Sequence, residues 1–239
     1  MAYDLNTCAH YQNLIDQLNP KGAPTAQLIH RGRDPGIFKV GILDASFNPM
    51  TLAHEALINT AKEDCNLDEM LLLLSRTNVD KNPIETDLGQ RLALLVLYAG
   101  QHEDLSVGIC SHARFVDKII GLTPCYPPGT QFYFIVGYDT LVRLFDPKYY
   151  VDMPADLHSL FQTCHFIAAN RGKNVPQILE NFLLGKEIRP FTDRIHPIFL
   201  HGDLANISST TVRDYIKAKV SIKHLVPEAI LTGLRSQGL

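Results

Sequence analysis

The chain has no tryptophan, which removes the indole as a platform for stacking a planar ligand. It has no excess of positive charge either. Lys and Arg number 22 against 25 Asp and Glu, a formal net charge of -3, and that balance excludes a broad nucleic-acid-binding face. The five cysteines, Cys8, Cys65, Cys110, Cys125 and Cys164, are odd in number, scattered and without a CxxC pair. The expectation is reduced thiols in an intracellular protein, cytoplasmic or nuclear, and not a disulfide framework. No apolar run approaches the length of a membrane span, and the opening MAYDLNTCAHYQ lacks the charged and apolar regions of a signal peptide. No membrane partner is expected. Neither the P-loop sequence nor the GxGxxG fingerprint occurs. His196 and His201 flank an apolar strand and Cys110-Ser111-His112 stands alone, so no protein metal site is expected.

What is present is an alternation. Short apolar runs at about 38–43, 70–74, 105–109, 131–136, 165–169 and 195–200 read as buried strands. Between them, segments with apolar residues at helical spacing read as helices: 52–64, 88–101, 112–120, 140–145, 157–162 and 175–184, with 210–219 and a last helix after Val226-Pro227 closing the chain. Such a pattern predicts an α/β fold: a doubly wound, Rossmann-like, mostly parallel sheet of five to six strands with helices on both faces. Residues 1–36 read as a separate extension, a helix over 7–18 followed by a connection rich in Pro and Gly; residues 37–239 read as the main domain.

The stretch KVGILDASFNPMTLAH, Lys39 to His54, is strand, tight loop and helix start. Pro49 ends the strand, and Thr51 or Met50 can open the helix. Free N–H groups at a helix start favour an anion, typically a phosphate. In such a sheet, ligands bind beyond the carboxyl ends of the strands. Ser46 to His54, Lys81, Gly137 to Asp139, Arg171 and Ser209 to Arg213 all fall just after predicted strands.

Two stretches carry a resemblance. SFNPMTLAH at 46–54 resembles the SFNPxTxxH signature of nicotinamide mononucleotide adenylyltransferases, and NISSTTVR at 206–213 resembles their ISSTxxR signature. The likeness spans residues 37 to 234 and is to the eukaryotic or fungal type, which also carries Thr at the place of Thr51. It implies an ATP-dependent adenylyltransferase that joins AMP to nicotinamide or nicotinate mononucleotide. The products would be NAD or its deamido form, and pyrophosphate, with Mg2+ carried in on ATP. It implies catalytic roles for His54 and Arg213. It implies ATP or phosphate contacts for Ser46, Phe47, Lys81, Gly137, Asp139, Arg171, Ser209 and Thr210. From the residues themselves, Ser208 or Ser209 reads as the cap of helix 210–219, with the Ser209 and Thr210 hydroxyls at that helix start. Arg91 matches a helix arginine of the relatives.

Each of these residues also has an ordinary reading. His54 and Phe47 can be core side chains, Lys81 a solvated loop lysine, Arg91 half of a surface ion pair and Asp139 a carboxylate complementing a helix dipole. Two positions depart from the pattern: Ala45 replaces a glycine before Ser46, and the tryptophan that stacks the nicotinamide ring is missing. His112 or Phe115 is the nearest aromatic substitute at the acceptor. Two other readings stay open: a same-fold transferase for phosphopantetheine or a phospho-alcohol, and a nucleotide-binding regulator or weak ATPase. Asn48, where the first of these usually carries Asp, speaks against it. A homo-oligomer is compatible with the sequence.

Overall fold

Seven consecutive residues, Glu69 to Ser75, are buried, and that segment is an inner strand of the sheet. A strand hidden on both faces must be covered by helices on both, and the rest of the architecture follows from it. The computed structural model describes residues 4–32, 36, 38–77, 87–169, 176–200, 204 and 206–236. The strands are β1 (Ala26–His30), β2 (Lys39–Asp44), β3 (Glu69–Ser75), β4 (Leu105–Cys110), β5 (Gln131–Gly137), β6 (Cys164–Ala169) and β7 (Ile195–Ile198). The helices are α1 (Leu5–Asp16), α2 (Leu52–Cys65), α3 (Leu88–Ala99), α4 (Phe115–Leu122), α5 (Tyr138–Leu144), α6 (Met153–Thr163), α7 (Pro176–Leu183), α8 (Ser209–Lys217) and α9 (Glu228–Ser236).

The sheet order is β1-β4-β3-β2-β5-β6-β7. β2 to β7 are parallel, and β1 adds antiparallel to β4. Within the parallel part the winding reverses between β2 and β5, which opens the binding crevice of a doubly wound sheet at the carboxyl ends of those two strands. One apolar core, with Leu43, Leu72 and Ile135, lies under α1, α2, α3, α8 and α9. The other, with Ile42, Leu73 and Phe134, lies under α4, α5, α6 and α7.

The structure differs from the sequence expectation in the segment read as a loop-rich connection, where AQLIH is the edge strand β1. Neighbouring Pro and Gly masked a five-residue strand. Two glycines explain how this early segment seats so closely. A Cβ on Gly89 would meet the Cys8 carbonyl oxygen at 2.3 Å, and one on Gly121 would meet the Thr25 carbonyl carbon at 2.9 Å. Glycine lets α1 press onto α3 and β1 press onto α4.

At the amino-terminal end of the sheet, two histidines are held neutral. The Arg194 guanidinium donates to His165 Nε2 at 2.8 Å, so His165 Nδ1 carries the hydrogen that donates to His196 Nε2 at 2.9 Å. Tyr133 stacks on His165 with centroids 4.3 Å apart. Burial, then the Arg194 cation, His196 and Lys39, push the His165 pKa down to about 4; burial, Lys39 and Arg194 lower His196 as well. In the unfolded chain both titrate near about 6.5. A depressed folded pKa means that the stability is fully present above the unfolded value and is lost as pH falls from there towards 4. His165→Gln is expected to flatten the decline of the melting temperature between those two pH values relative to the parent. Parallel melting profiles would show that the histidine pair carries no such linkage.

Candidate functional site

The loop between β2 and α2 is fixed by three side chains from distant parts of the chain. Arg91 Nη1 donates to the Ser46 carbonyl at 3.1 Å, Arg213 Nη1 to the Asn48 carbonyl at 2.8 Å and Ser209 Oγ to the Pro49 carbonyl at 2.8 Å. Phe47, between them, has φ 41°, in the left-handed region that a non-glycine residue enters at a cost of about 1–3 kcal/mol. Its ring is buried, and it lies 5.3 Å from the His54 ring. Turning the loop inside out in this way leaves the backbone carbonyls facing the side-chain donors.

Thr51 is the N-cap of α2, and His54 takes the place that Glu or Gln holds in a capping box. His54 Nδ1 accepts from the Thr51 N–H at 3.1 Å and contacts Thr51 Oγ1 at 2.8 Å. The neutral ring therefore carries its hydrogen on Nε2. His54 is thus a donor with a fixed ring, one turn from a helix N-terminus. At the other motif the cap is Ser208, whose side chain accepts from the Thr211 N–H. Of the candidate caps it is Ser208 that caps; Ser209 and Thr210 do not. The Ser209 hydroxyl reaches Pro49, and Thr210 Oγ1 accepts from Arg213 Nη2 at 3.0 Å. The reason is physical: one cap satisfies α8, which frees the next two hydroxyls for the loop and the arginine.

Ser46, Phe47, His54, Ser209, Thr210 and Arg213 are therefore in one place, with Arg91 beneath them. Gly137 ends β5, the strand next to β2, and Asp139 lies exposed in the first turn of α5. His112 follows β4, two strands away from β2, with Nδ1 at 2.7 Å from Ser111 Oγ. Phe115 sets its ring edge against Phe134 and Phe166, both at 5.1 Å, in the core under α4. Lys81 and Arg171 lie outside the described residues. Among the described residues, no group of three or more His, Cys, Asp or Glu is placed to hold a metal ion.

The sequence reading missed a polar network on the α4 side of the loop. Asp44 ends β2; its Oδ1 accepts from Ser75 Oγ at 2.7 Å and its Oδ2 from Lys118 Nζ. The Lys118 and Asp44 side chains are 4% and 19% exposed. Cys110 Sγ lies 3.2 Å from Ser75 Oγ, and burial, then Asp44, push its thiol up to about 12, so it stays protonated. The signal was available: Lys118 stands in the apolar run FVDKIIGL, and Asp44 closes an apolar strand.

Arg91 is the electrostatic anomaly. It is 3% exposed, and its Nε and Nη2 have no hydrogen-bond partner among the described residues. Burial, then Arg213, lower its pKa to about 10 against the opposing pull of Asp87, so it remains a cation at neutral pH. A buried cation with no carboxylate hydrogen-bonded to it among the described residues is destabilising, and here a second guanidinium lies beside it. The surface-ion-pair reading of Arg91 does not fit. Arg91→Met is expected to leave stability within about 1 kcal/mol of the parent, because an apolar side chain replaces an unneutralised charge. It is expected to weaken pyrophosphate binding about tenfold, measured by calorimetry. A large loss of stability with unchanged pyrophosphate affinity would contradict this account.

Comparisons with known proteins bear on this arrangement. The model of the cytidylyltransferase-like family matches residues 42–215. A Schizosaccharomyces pombe protein named as a nicotinamide mononucleotide adenylyltransferase is 30% identical over 210 residues, 81% of this chain and 83% of its own length. A Moorella thermoacetica protein named as a nicotinate-nucleotide adenylyltransferase is 31% identical over 212 residues, 84% of this chain and 91% of its own. The structure of Plasmodium falciparum nicotinic acid mononucleotide adenylyltransferase complexed with NaAD shares the fold, with TM-score 0.58 at 16% identity over 84% of this chain and 96% of that one. The chain belongs to the cytidylyltransferase-like family of nucleotidyltransferases, among the nicotinamide and nicotinate mononucleotide adenylyltransferases.

Proposed function

We propose that this enzyme transfers the adenylyl group of ATP to nicotinamide or nicotinate mononucleotide, releasing pyrophosphate and forming NAD or its deamido form. The observation that carries the reading is the meeting of 46–54 with 209–213. Hydrogen bonds between residues 160 and 165 positions apart in sequence bring the two motifs into one place, which supports reading them as one phosphate site. The named relatives and the neighbour that holds NaAD support the substrates.

In the reaction, an oxygen of the acceptor phosphate bonds to the α-phosphorus while the bond to the β-phosphate oxygen breaks and its electron pair leaves with pyrophosphate. Such a step asks for positioning and charge stabilisation more than for covalent chemistry by the protein. Ser46 and Phe47 would bring backbone N–H groups to the phosphates, and the N-termini of α2 and α8 add their dipoles. His54 would donate from Nε2, and Arg213 would place its guanidinium on the departing pyrophosphate, with Arg91 adding charge from below. Ser209 and Thr210 hold the clamp. Gly137 and Asp139 would receive the adenosine, and Lys81 and Arg171 would complete the phosphate and ATP contacts. His112 would stand on the acceptor side, with Phe115 behind it, its ring packed against Phe134 and Phe166. Magnesium would come as the ATP complex and supply charge neutralisation of the triphosphate. No helix of the described residues is long and apolar enough to cross a membrane; the free cysteines suit a reducing compartment, cytoplasm or nucleus.

The test is steady-state dinucleotide formation, with pyrophosphate read in parallel. His54→Ala is expected to lower turnover about a hundredfold to a thousandfold with little change in ATP affinity. Arg213→Ala is expected to cost at least as much, and Arg213→Lys to recover little, since a point charge does not reproduce a planar fork. The double variant should lose less than the product of the two. A folded His54→Ala protein within threefold of the parent would make His54 a packing residue. ATP consumption without dinucleotide would leave a regulator or ATPase.

A further inference from the structure

The acid at the end of β2 addresses the choice between the two pyridine acceptors. By strand alternation the Asp44 side chain shares the α4 face of the sheet with Val40 and Ile42, where Lys118 meets it, whereas the clamp of Arg91, Ser209 and Arg213 belongs with α3 and α8 on the other. The two faces meet at residues 44–46, where Lys118 holds the Asp44 carboxylate and Arg91 holds the Ser46 carbonyl. Adenosine placed at Gly137 and Asp139, after β5, leaves the acceptor the other half of the crevice, at the ends of β2, β3 and β4. Asp44, Ser75 and His112 stand there.

In that half the exposed partner of the ion pair decides what a ligand meets. Lys118 is 4% exposed and Asp44 19%, so the approachable group is the carboxylate. Each Asp44 oxygen accepts one hydrogen bond in the structure, from Ser75 and from Lys118. A carboxylate has about four lone-pair sites, so it can still accept from an N–H. The cations of α4 are committed: Lys118 to Asp44, and Arg114, at the cap of α4, to Asp117 with Nε–Oδ2 at 2.8 Å. Arg76, after β3, donates to the Asp16 and Leu18 carbonyls. A carboxamide can donate to Asp44. A substrate carboxylate finds a like charge and no uncommitted cation on α4, an arrangement that rejects more strongly than a missing contact does.

We propose that Asp44, fixed by Lys118 and Ser75, is a specificity-determining residue that accepts a hydrogen bond from the carboxamide of nicotinamide mononucleotide and excludes the nicotinate form. The inference rests on the adenylyltransferase reading and adds the acceptor's class to it.

The experiment compares kcat/KM for the two mononucleotides at fixed ATP, in the parent and in Asp44→Asn with Lys118→Met. That pair removes both charges at nearly constant shape, so neither is left buried alone. Thermal melting checks the fold. The parent is expected to favour the amide about a hundredfold, and the double variant to fall to within about threefold, with the change in acceptor KM more than in kcat. The two mononucleotides without ATP should also differ in the thermal shift they give the parent, a readout that needs no variant. Equal use of both acceptors by the parent, or preference for nicotinate, overturns the proposal and leaves the enzyme reading intact. A folded double variant that keeps the full preference overturns it too. No dinucleotide from either acceptor defeats the adenylyltransferase reading itself, and this inference with it.

Discussion

The site depends on three donors that end on the backbone carbonyls of one loop. Arg91, Ser209 and Arg213 reach Ser46, Pro49 and Asn48 across 45, 160 and 165 positions of sequence. The loop needs that support, because Phe47 adopts a backbone conformation that an aromatic residue does not choose by itself. The Ser209 and Arg213 bonds are worth about 0.5–3 kcal/mol each, enough together to offset the strain at Phe47. The same contacts tie α3 and α8 to the β2–α2 junction, so the fold and the proposed phosphate site share one set of interactions.

The two sides of the junction are electrostatically opposite. On the α3 and α8 side, Arg91 and Arg213 lie close together, and among the described residues Arg91 has no carboxylate hydrogen-bonded to it, an arrangement that suits the proposed binding of an anion. On the α4 side, Lys118 is neutralised by Asp44 and Arg114 by Asp117. A nucleotidyl transfer has this asymmetry: polyphosphate charge to stabilise at one end, and an acceptor base to tell from its analogues at the other.

Much of this was legible in the sequence, and the reasons differ by element. The parallel strands were visible because strands covered on both faces are continuous apolar runs, as in MLLLL. β1 was not, because AQLIH is an edge strand covered less on one side and lies among turn residues. SFNPMTLAH and ISSTTVR pointed to a phosphate site, and Ser208 or Ser209 stood out as the cap, but nothing in them chooses between the two or says that Ser209 crosses to Pro49. Those are decided by which hydroxyl meets which carbonyl once the chain closes. Arg91 read as an ordinary helix arginine, because burial of a guanidinium without a counter-ion is a property of packing and leaves no local pattern. Asp44 and Lys118 lie 74 positions apart, and only the register of β2 under α4 pairs them.

The central claim is that both motifs hold one triphosphate. A crystal structure of the protein with a non-hydrolysable ATP analogue and magnesium tests it directly. The account predicts phosphate oxygens within hydrogen-bond distance, about 2.7–3.2 Å, of both His54 Nε2 and the Arg213 guanidinium, with the loop 46–49 in its present conformation. Phosphates seated elsewhere in the crevice, with His54 and Arg213 both out of reach, would contradict it.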